Sequence, residues 1–197
     1  MDIVGNDSRE ENLQAIIDRQ RLSIEQLERD YMLQGALIAV MKFGFERLSI
    51  KVRLQQILEI IVSIPVLDLL MKGGIYVLEK NSGELRLTAN TNLSQNIVSS
   101  CAKITFGQGL CGLAAINRKT IFAKEDDIKK HLICKNMYDN INHYSIPIMN
   151  NNRMVVGLIS LYANSSHIYN NEIEWFYQSL ASYLSKIIDN YRENELY

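Results

Sequence analysis

Surplus positive charge, proline and long apolar runs are all scarce in this sequence, and each scarcity removes a class of function. Lys plus Arg number 21 against 22 Asp plus Glu, a formal net charge of -1. No global basic field therefore draws the chain onto nucleic acid or anionic lipid. The two prolines, Pro65 and Pro147, are too few for a Pro-rich linker. A membrane helix needs about 20 apolar residues. The most apolar stretch, 57–70, is broken by Glu59, Ser63, Pro65 and Asp68. The N-terminus is acidic and polar, where a secretory signal would carry a basic start and an apolar stretch. Three cysteines, an odd number, fit a reducing compartment better than a disulfide scaffold. The chain is accordingly expected to be cytoplasmic, with neither nucleic acid nor membrane as partner. Nor does it contain a Gly-rich phosphate loop ending in Lys-Ser/Thr, a Gly-x-Ser-x-Gly elbow or zinc-finger spacing.

What is there is an ordinary globular composition, 47% hydrophobic and 22% charged over 197 residues. That length suits one domain with a helical appendage. Residues 9–42 read as a long helix, with Leu13, Ile17, Ile24, Leu27, Tyr31 and Ile38 at spacings of three, four and seven. The stripe is narrow, like a coiled-coil seam, and Gln20 and Gln34 interrupt it. Two partners fit such a seam: the same helix of a second chain, or the chain's own domain. Ser49 is the expected N-cap of a second helix, 50–64, which Pro65 stops.

The period then changes. Residues 74–80 and 84–89 read as strands joined by Asn81-Ser82-Gly83 turn chemistry. Short helices are expected at 93–100 and 110–117, and brief strands at 103–106 and 120–123. The polar stretch 124–142 is long for a compact domain, with a helical piece expected at 126–137. Residues 143–149 and 153–162 form a hairpin turned by Asn150-Asn151-Asn152, and Pro147 marks an edge or a bulge. A final helix over 170–193 is marked by a buried stripe of Ile173, Phe176, Leu180, Tyr183, Leu184, Ile187, Ile188 and Tyr191. Hairpin-linked strands with helices at both ends give an α+β domain: a central antiparallel β-sheet with the end helices on one face.

This order, with its residues, resembles the GAF domain family. The resemblance rests on Lys72-Gly73-Gly74-Ile75-Tyr76-Val77-Leu78, then Phe106-Gly107-Gln108-Gly109-Leu110-Cys111-Gly112, then His143-Tyr144-Ser145-Ile146-Pro147-Ile148 and Val156-Gly157-Leu158-Ile159-Ser160-Leu161-Tyr162. It covers 46–192, leaving 1–45 as a helical extension for dimerisation or signalling and 193–197 as a tail. The resemblance implies a ligand pocket on the face away from the end helices, roofed by 91–101, 107–117 and 124–142. It also implies a sensory module that binds a small molecule or senses redox state. Such a module works as a homodimer and passes its signal to a downstream protein through helix packing. With no output domain after residue 197, the chain is expected to act as a stand-alone module.

The pocket candidates are Cys111, Gly109, Gly112, His143, Tyr144, His131 and Tyr162. Glycines beside Cys111 let backbone approach a ligand, and a cysteine early in a short helix has its thiolate favoured by unpaired N–H groups. A related resemblance is to the free methionine-R-sulfoxide reductases, through Cys101, Cys111 and His131-Leu132-Ile133-Cys134. It implies Cys134 as nucleophile, with Cys101 or Cys111 resolving a sulfenic intermediate as a disulfide. The sequence departs from that family at His143, Ser160 and Tyr162, where carboxylates would hold the substrate. Sulfur and imidazole at Cys111, His131, Cys134 and His143 would also suit haem, iron or zinc, although no standard ligand spacing is present and no cofactor is required. Two blander readings stand beside these: an adaptor whose long helix binds another protein over a vestigial pocket, and buried cysteines that are merely small apolar residues. His167 reads as loop surface. Trp175, Phe176 and Tyr177 read as core or dimer contact.

Overall fold

The computed structural model describes residues 4–43, 48–124 and 141–194, with side chains over 9–43, 48–124 and 141–192. The expected helical piece at 126–137, and with it His131 and Cys134, lies outside the described residues.

The first helix, α1, runs Val4–Phe43. It carries two apolar stripes. Leu33 and Val40 are buried in the domain core, with Ala36, Leu37 and Phe43 packed against it. The seam residues Leu13, Ile17, Ile24, Leu27, Tyr31 and Ile38 are all exposed. The helix thus docks on its own domain through a stripe other than the seam. Helix α2, Ile50–Val62, starts where Ser49 accepts a hydrogen bond from the Val52 N–H at 3.4 Å. Pro65 opens a 3₁₀ turn, Pro65–Leu67, and Asp68 leaves it in the left-handed region at φ 46°.

Strand β1, Leu69–Leu78, starts directly after that turn, earlier than its apolar alternation suggests. A tight turn leads into β2, Leu85–Thr91, with Gly83 at φ 69° and its N–H bonded to the Glu79 carbonyl at 3.0 Å. Next come α3 (Gln95–Ser100, capped by Ser94), β3 (Lys103–Ile104), α4 (Gly109–Asn117) and β4 (Ile121–Ala123). Strands β5 (Ile141–Met149) and β6 (Val155–Asn164) form the long hairpin. Helix α5, Asn171–Asn194, closes the fold, with the Asn170 side chain accepting from the Ile173 N–H at 2.9 Å.

Among the described residues the strands form a six-stranded antiparallel sheet in the order β3-β2-β1-β6-β5-β4. Strand β4 stops pairing opposite Ser145, so only β6 flanks β5 at Pro147. A proline there costs the sheet little. Alternation divides the strands between two faces. One face carries Ile75, Tyr144, Ile146, Ile159 and Leu161 against Leu54, Ile57, Leu58 and Ile61 of α2 and Phe176, Leu180, Leu184 and Ile188 of α5. The other carries Tyr76, Leu158 and Tyr162 beneath Leu110, Ala114 and Ala115 of α4 and Ile97 of α3. No helix of the described residues is long and apolar enough to cross a membrane.

One expectation, about His167, is corrected. His167 is buried, not on the surface, and its Nε2 lies 2.6 Å from the Tyr144 hydroxyl in a cluster with Phe122 and Tyr169. On α5, Phe176 and Tyr177 are fully buried, while Trp175 is 55% exposed. The reason is helical geometry, since neighbouring residues point about 100° apart.

Candidate functional site

Where β5 and β6 pair, His143 stands opposite Tyr162 and Ser145 opposite Ser160. All four side chains lie on the face away from α2 and α5, and all are buried. They form a hydrogen-bonded chain that ends on α4. The His143 Nε2 lies 2.9 Å from the Ser160 hydroxyl, and its Nδ1 lies 3.3 Å from the Ser145 hydroxyl. The Ser145 hydroxyl in turn lies 3.4 Å from the Cys111 sulfur. The Tyr162 ring packs on the imidazole at 4.8 Å between centroids, and the Lys72 ammonium sits 4.8 Å from the centre of that ring. Cys101, at the C-terminal end of α3, packs in the neighbouring cluster of Ile97, Leu110 and Tyr162.

Burial decides the charge of this chain of groups. It pushes the His143 imidazole down to about 4, helped by the Lys72 charge, so the ring is neutral at pH 7. Burial also pushes the Cys111 thiol up to about 11, against the opposing effect of its hydrogen bond to Ser145. The expectation of a thiolate favoured by a helix start is therefore corrected. Cys111 is the third residue of α4, but desolvation outweighs the helix terminus. Lys72 is itself partly desolvated, which lowers its own affinity for a proton.

The two glycines of the candidate set do different things. Gly109 begins α4 at φ 63°, with open space where a side chain would stand. Gly112 faces the protein: a β-carbon there would lie 2.3 Å from the Thr105 carbonyl oxygen. Its lack of a side chain is needed for backbone packing, and the Gly107 N–H bonds the Gly112 carbonyl at 2.8 Å. Tyr144 is corrected outright. As the strand neighbour of His143 it must point to the opposite face, and it is fully buried among α5 and the His167 cluster. Ser145 and Lys72 were missed by sequence reasoning. Ser145 was within reach, because it shares a face with His143 by the period of two.

The Ser160 hydroxyl beside an imidazole has the spacing of a nucleophile and its base. The base here has almost no affinity for a proton at neutral pH. Both nitrogens of that neutral imidazole already face hydroxyls, Ser160 at Nε2 and Ser145 at Nδ1. Among the described residues no group of three or more His, Cys, Asp or Glu could hold a metal ion. Of the candidate metal set only Cys111 and His143 fall within them, and Ser145 lies between the two.

This sheet, with helices on both faces, is the architecture of a small α+β domain, and the sequence matches the GAF domain model over residues 48–189. The chain belongs to the GAF domain family. No curated protein matches it significantly. Solved structures share the fold. The GAF domain of a phosphoenolpyruvate-protein phosphotransferase from Coxiella burnetii is 18% identical, with TM-score 0.67 over 84% of this chain and 97% of that one. Free methionine-R-sulfoxide reductase from Neisseria meningitidis, solved with its substrate, is 16% identical, with TM-score 0.66 over 82% and 91%. A GAF domain from A. aeolicus in an inactive state is 13% identical, with TM-score 0.63 over 82% and 98%.

Proposed function

We propose that this GAF domain is a cytoplasmic sensory module that binds a small molecule against the His143 face of its sheet and reports the binding through its helices. The observation that supports this most is the chain Cys111–Ser145–His143–Ser160. It presents hydroxyl, imidazole and thiol groups, all uncharged at neutral pH, inside an otherwise apolar layer. Buried polar groups of that kind recognise hydrogen-bonding ligands, since an ill-fitting one leaves them unpaired. Binding is favoured over redox sensing because a thiol near 11 reacts slowly with oxidants.

The signal route follows from alternation. The strands that carry His143 and Ser160 also carry Tyr144, Ile146 and Leu161, which pack on α2 and α5. Helix α5 touches α1, where the Tyr183 hydroxyl donates to the Met41 carbonyl at 2.7 Å and Gln26 bonds Glu172. A shift in strand position on binding is thereby passed to α1, the expected homodimer contact. A coupling of about 1–3 kcal/mol suffices.

The test is ¹H–¹⁵N NMR with cyclic AMP, cyclic GMP, haem and free methionine-R-sulfoxide as probes, alongside native mass spectrometry of freshly purified protein. A probe that shifts residues 143, 145, 160 and 162, or a retained small molecule, supports the reading. No retained mass and no shift from any probe overturns it. Turnover of the sulfoxide by a thiol reductant, abolished by Cys134→Ser, would instead establish the reductase alternative.

A further inference from the structure

The side of the sheet that faces α2 and α5 is apolar over most of its area and turns polar at one corner. There β5 presents Asn142 and Tyr144, both buried, and both hold the connection 165–170 that runs from β6 into α5. The Asn142 Nδ2 lies 3.0, 3.3 and 3.4 Å from the carbonyl oxygens of Asn164, Ser165 and His167. The Tyr144 hydroxyl lies 2.6 Å from the buried His167 Nε2. The far end of the connection is tied as well. The Tyr169 ring stacks on Phe122 of β4 at 5.5 Å between centroids, and its hydroxyl donates to Glu174 of α5 at 2.5 Å. Phe122 is in turn the β4 residue paired with Tyr144.

We infer that this connection is a strap through which the His143 face sets the position of α5, with Asn142 and Tyr144 as the positioning residues that work it. The inference rests on the signalling role proposed above and names the part that carries it. Alternation supplies the linkage. Within 142–145, His143 and Ser145 bear the polar chain of the candidate site, and Asn142 and Tyr144 bear the strap. The peptide plane between His143 and Tyr144 belongs to both residues. A turn of the strand that reseats the imidazole therefore moves the Tyr144 hydroxyl and, with it, His167. The strap also has discrete alternatives, which coupling between sites requires. An amide nitrogen carries two hydrogens, and three carbonyls stand within reach of the Asn142 Nδ2. A small rotation of Asn142 exchanges the carbonyl at the end of β6 for that of His167. The Tyr144–His167 bond biases that choice, because both of its partners are buried and neither can turn to water instead.

The test is hydrogen–deuterium exchange over residues 171–178, the first turns of α5, in the full chain. It compares the parent, Ser160→Ala, Tyr144→Phe and the double variant. Ser160→Ala disturbs the candidate site from the other side of the sheet, by removing the hydroxyl that faces the His143 Nε2. The expected result is exchange about fivefold faster over 171–178 in Ser160→Ala, the lower end of ordinary coupling between sites, with residues 75–78 of β1 unchanged. In the Tyr144→Phe background the same substitution should produce no further change. Ile146→Val trims the packing between β5 and α5 and should leave the response intact. Exchange over 171–178 that Ser160→Ala does not alter overturns the strap. An equal response with and without the Tyr144 hydroxyl overturns it too, since the disturbance then travels by another route. Should Tyr144→Phe fail to fold, His167→Leu breaks the same bond from the strap's side and must abolish the response in its place. No ligand enters these measurements, so a failed strap leaves the proposed binding face standing, and a bare chain in native mass spectrometry removes the binding role without altering the exchange result.

Discussion

One sheet carries two faces built from alternate residues of the same strands, and they differ in kind. The face toward α2 and α5 is almost wholly apolar, and its side chains fix the fold through packing. The face toward α3 and α4 interrupts its apolar layer with His143, Ser145 and Ser160, all buried and all hydrogen-bonded. Evolution of a binding site on this sheet needs no change of fold, because a residue on one face leaves its strand neighbour on the other untouched. The comparison teaches that stability and chemistry are separated here by one step along a strand.

The largest expected effect lies on the helix face. Phe176 is fully buried, and Phe176→Ala should cost about 3–5 kcal/mol of unfolding free energy in a denaturant titration. Ser145→Ala on the other face should cost less, about 1–2 kcal/mol, by leaving the His143 Nδ1 without its partner and removing one of the hydroxyls bonded to the Cys111 thiol. A reversal of that order would break the comparison.

Acid should act on the polar face next. The unfolded chain takes up a proton on His143 near 6.5 and the folded chain only near 4. The unfolded state therefore binds more protons between those values, and stability is lost as pH falls through them. The loss is on the order of 3 kcal/mol for this group. His167 acts in the same direction, since burial also lowers its affinity for a proton. His143→Leu should flatten the fall in melting temperature between pH 6.5 and 4 relative to the parent chain, and an unchanged slope would contradict the assignment.

A chemical probe sharpens the same contrast. With its thiol pushed from 9 up to about 11, Cys111 holds about 100-fold less thiolate at neutral pH than an ordinary cysteine. Iodoacetamide labelling followed by peptide mapping should show that lag in the native chain and its loss in denaturant. The smallest effect belongs to the link between α5 and α1: Tyr183→Phe should cost only about 0.5–1 kcal/mol. Its mark should be faster amide exchange over residues 33–43.

Much of this architecture was legible in the residues. Ser49, Pro65 and the Asn150-Asn151-Asn152 turn place boundaries by local chemistry, and the stripe of α5 places the core. The split between His143 and Tyr144 could have been drawn by the same reasoning, since adjacent strand residues cannot share a face, yet both stood among the pocket candidates. What the pattern could not supply depends on tertiary burial. The state of the Cys111 thiol follows from the atoms packed around it, and no spacing along α4 encodes them. His167 looks like loop surface until the Tyr144 hydroxyl is brought to it from 23 residues away. The long helix hid its second stripe because Leu33 and Val40 stand in an apolar stretch beside Met32, Leu37, Ile38, Ala39 and Met41, where the spacing singles out no one face.

The most direct test of the central claim, that the polar face holds a small molecule, is native mass spectrometry of the freshly purified parent chain beside a His143→Leu/Ser160→Val variant of unchanged circular dichroism. The account predicts a retained small-molecule mass on the parent that is absent from the variant. A retained mass that survives in the variant, or bare chains in both, would contradict it.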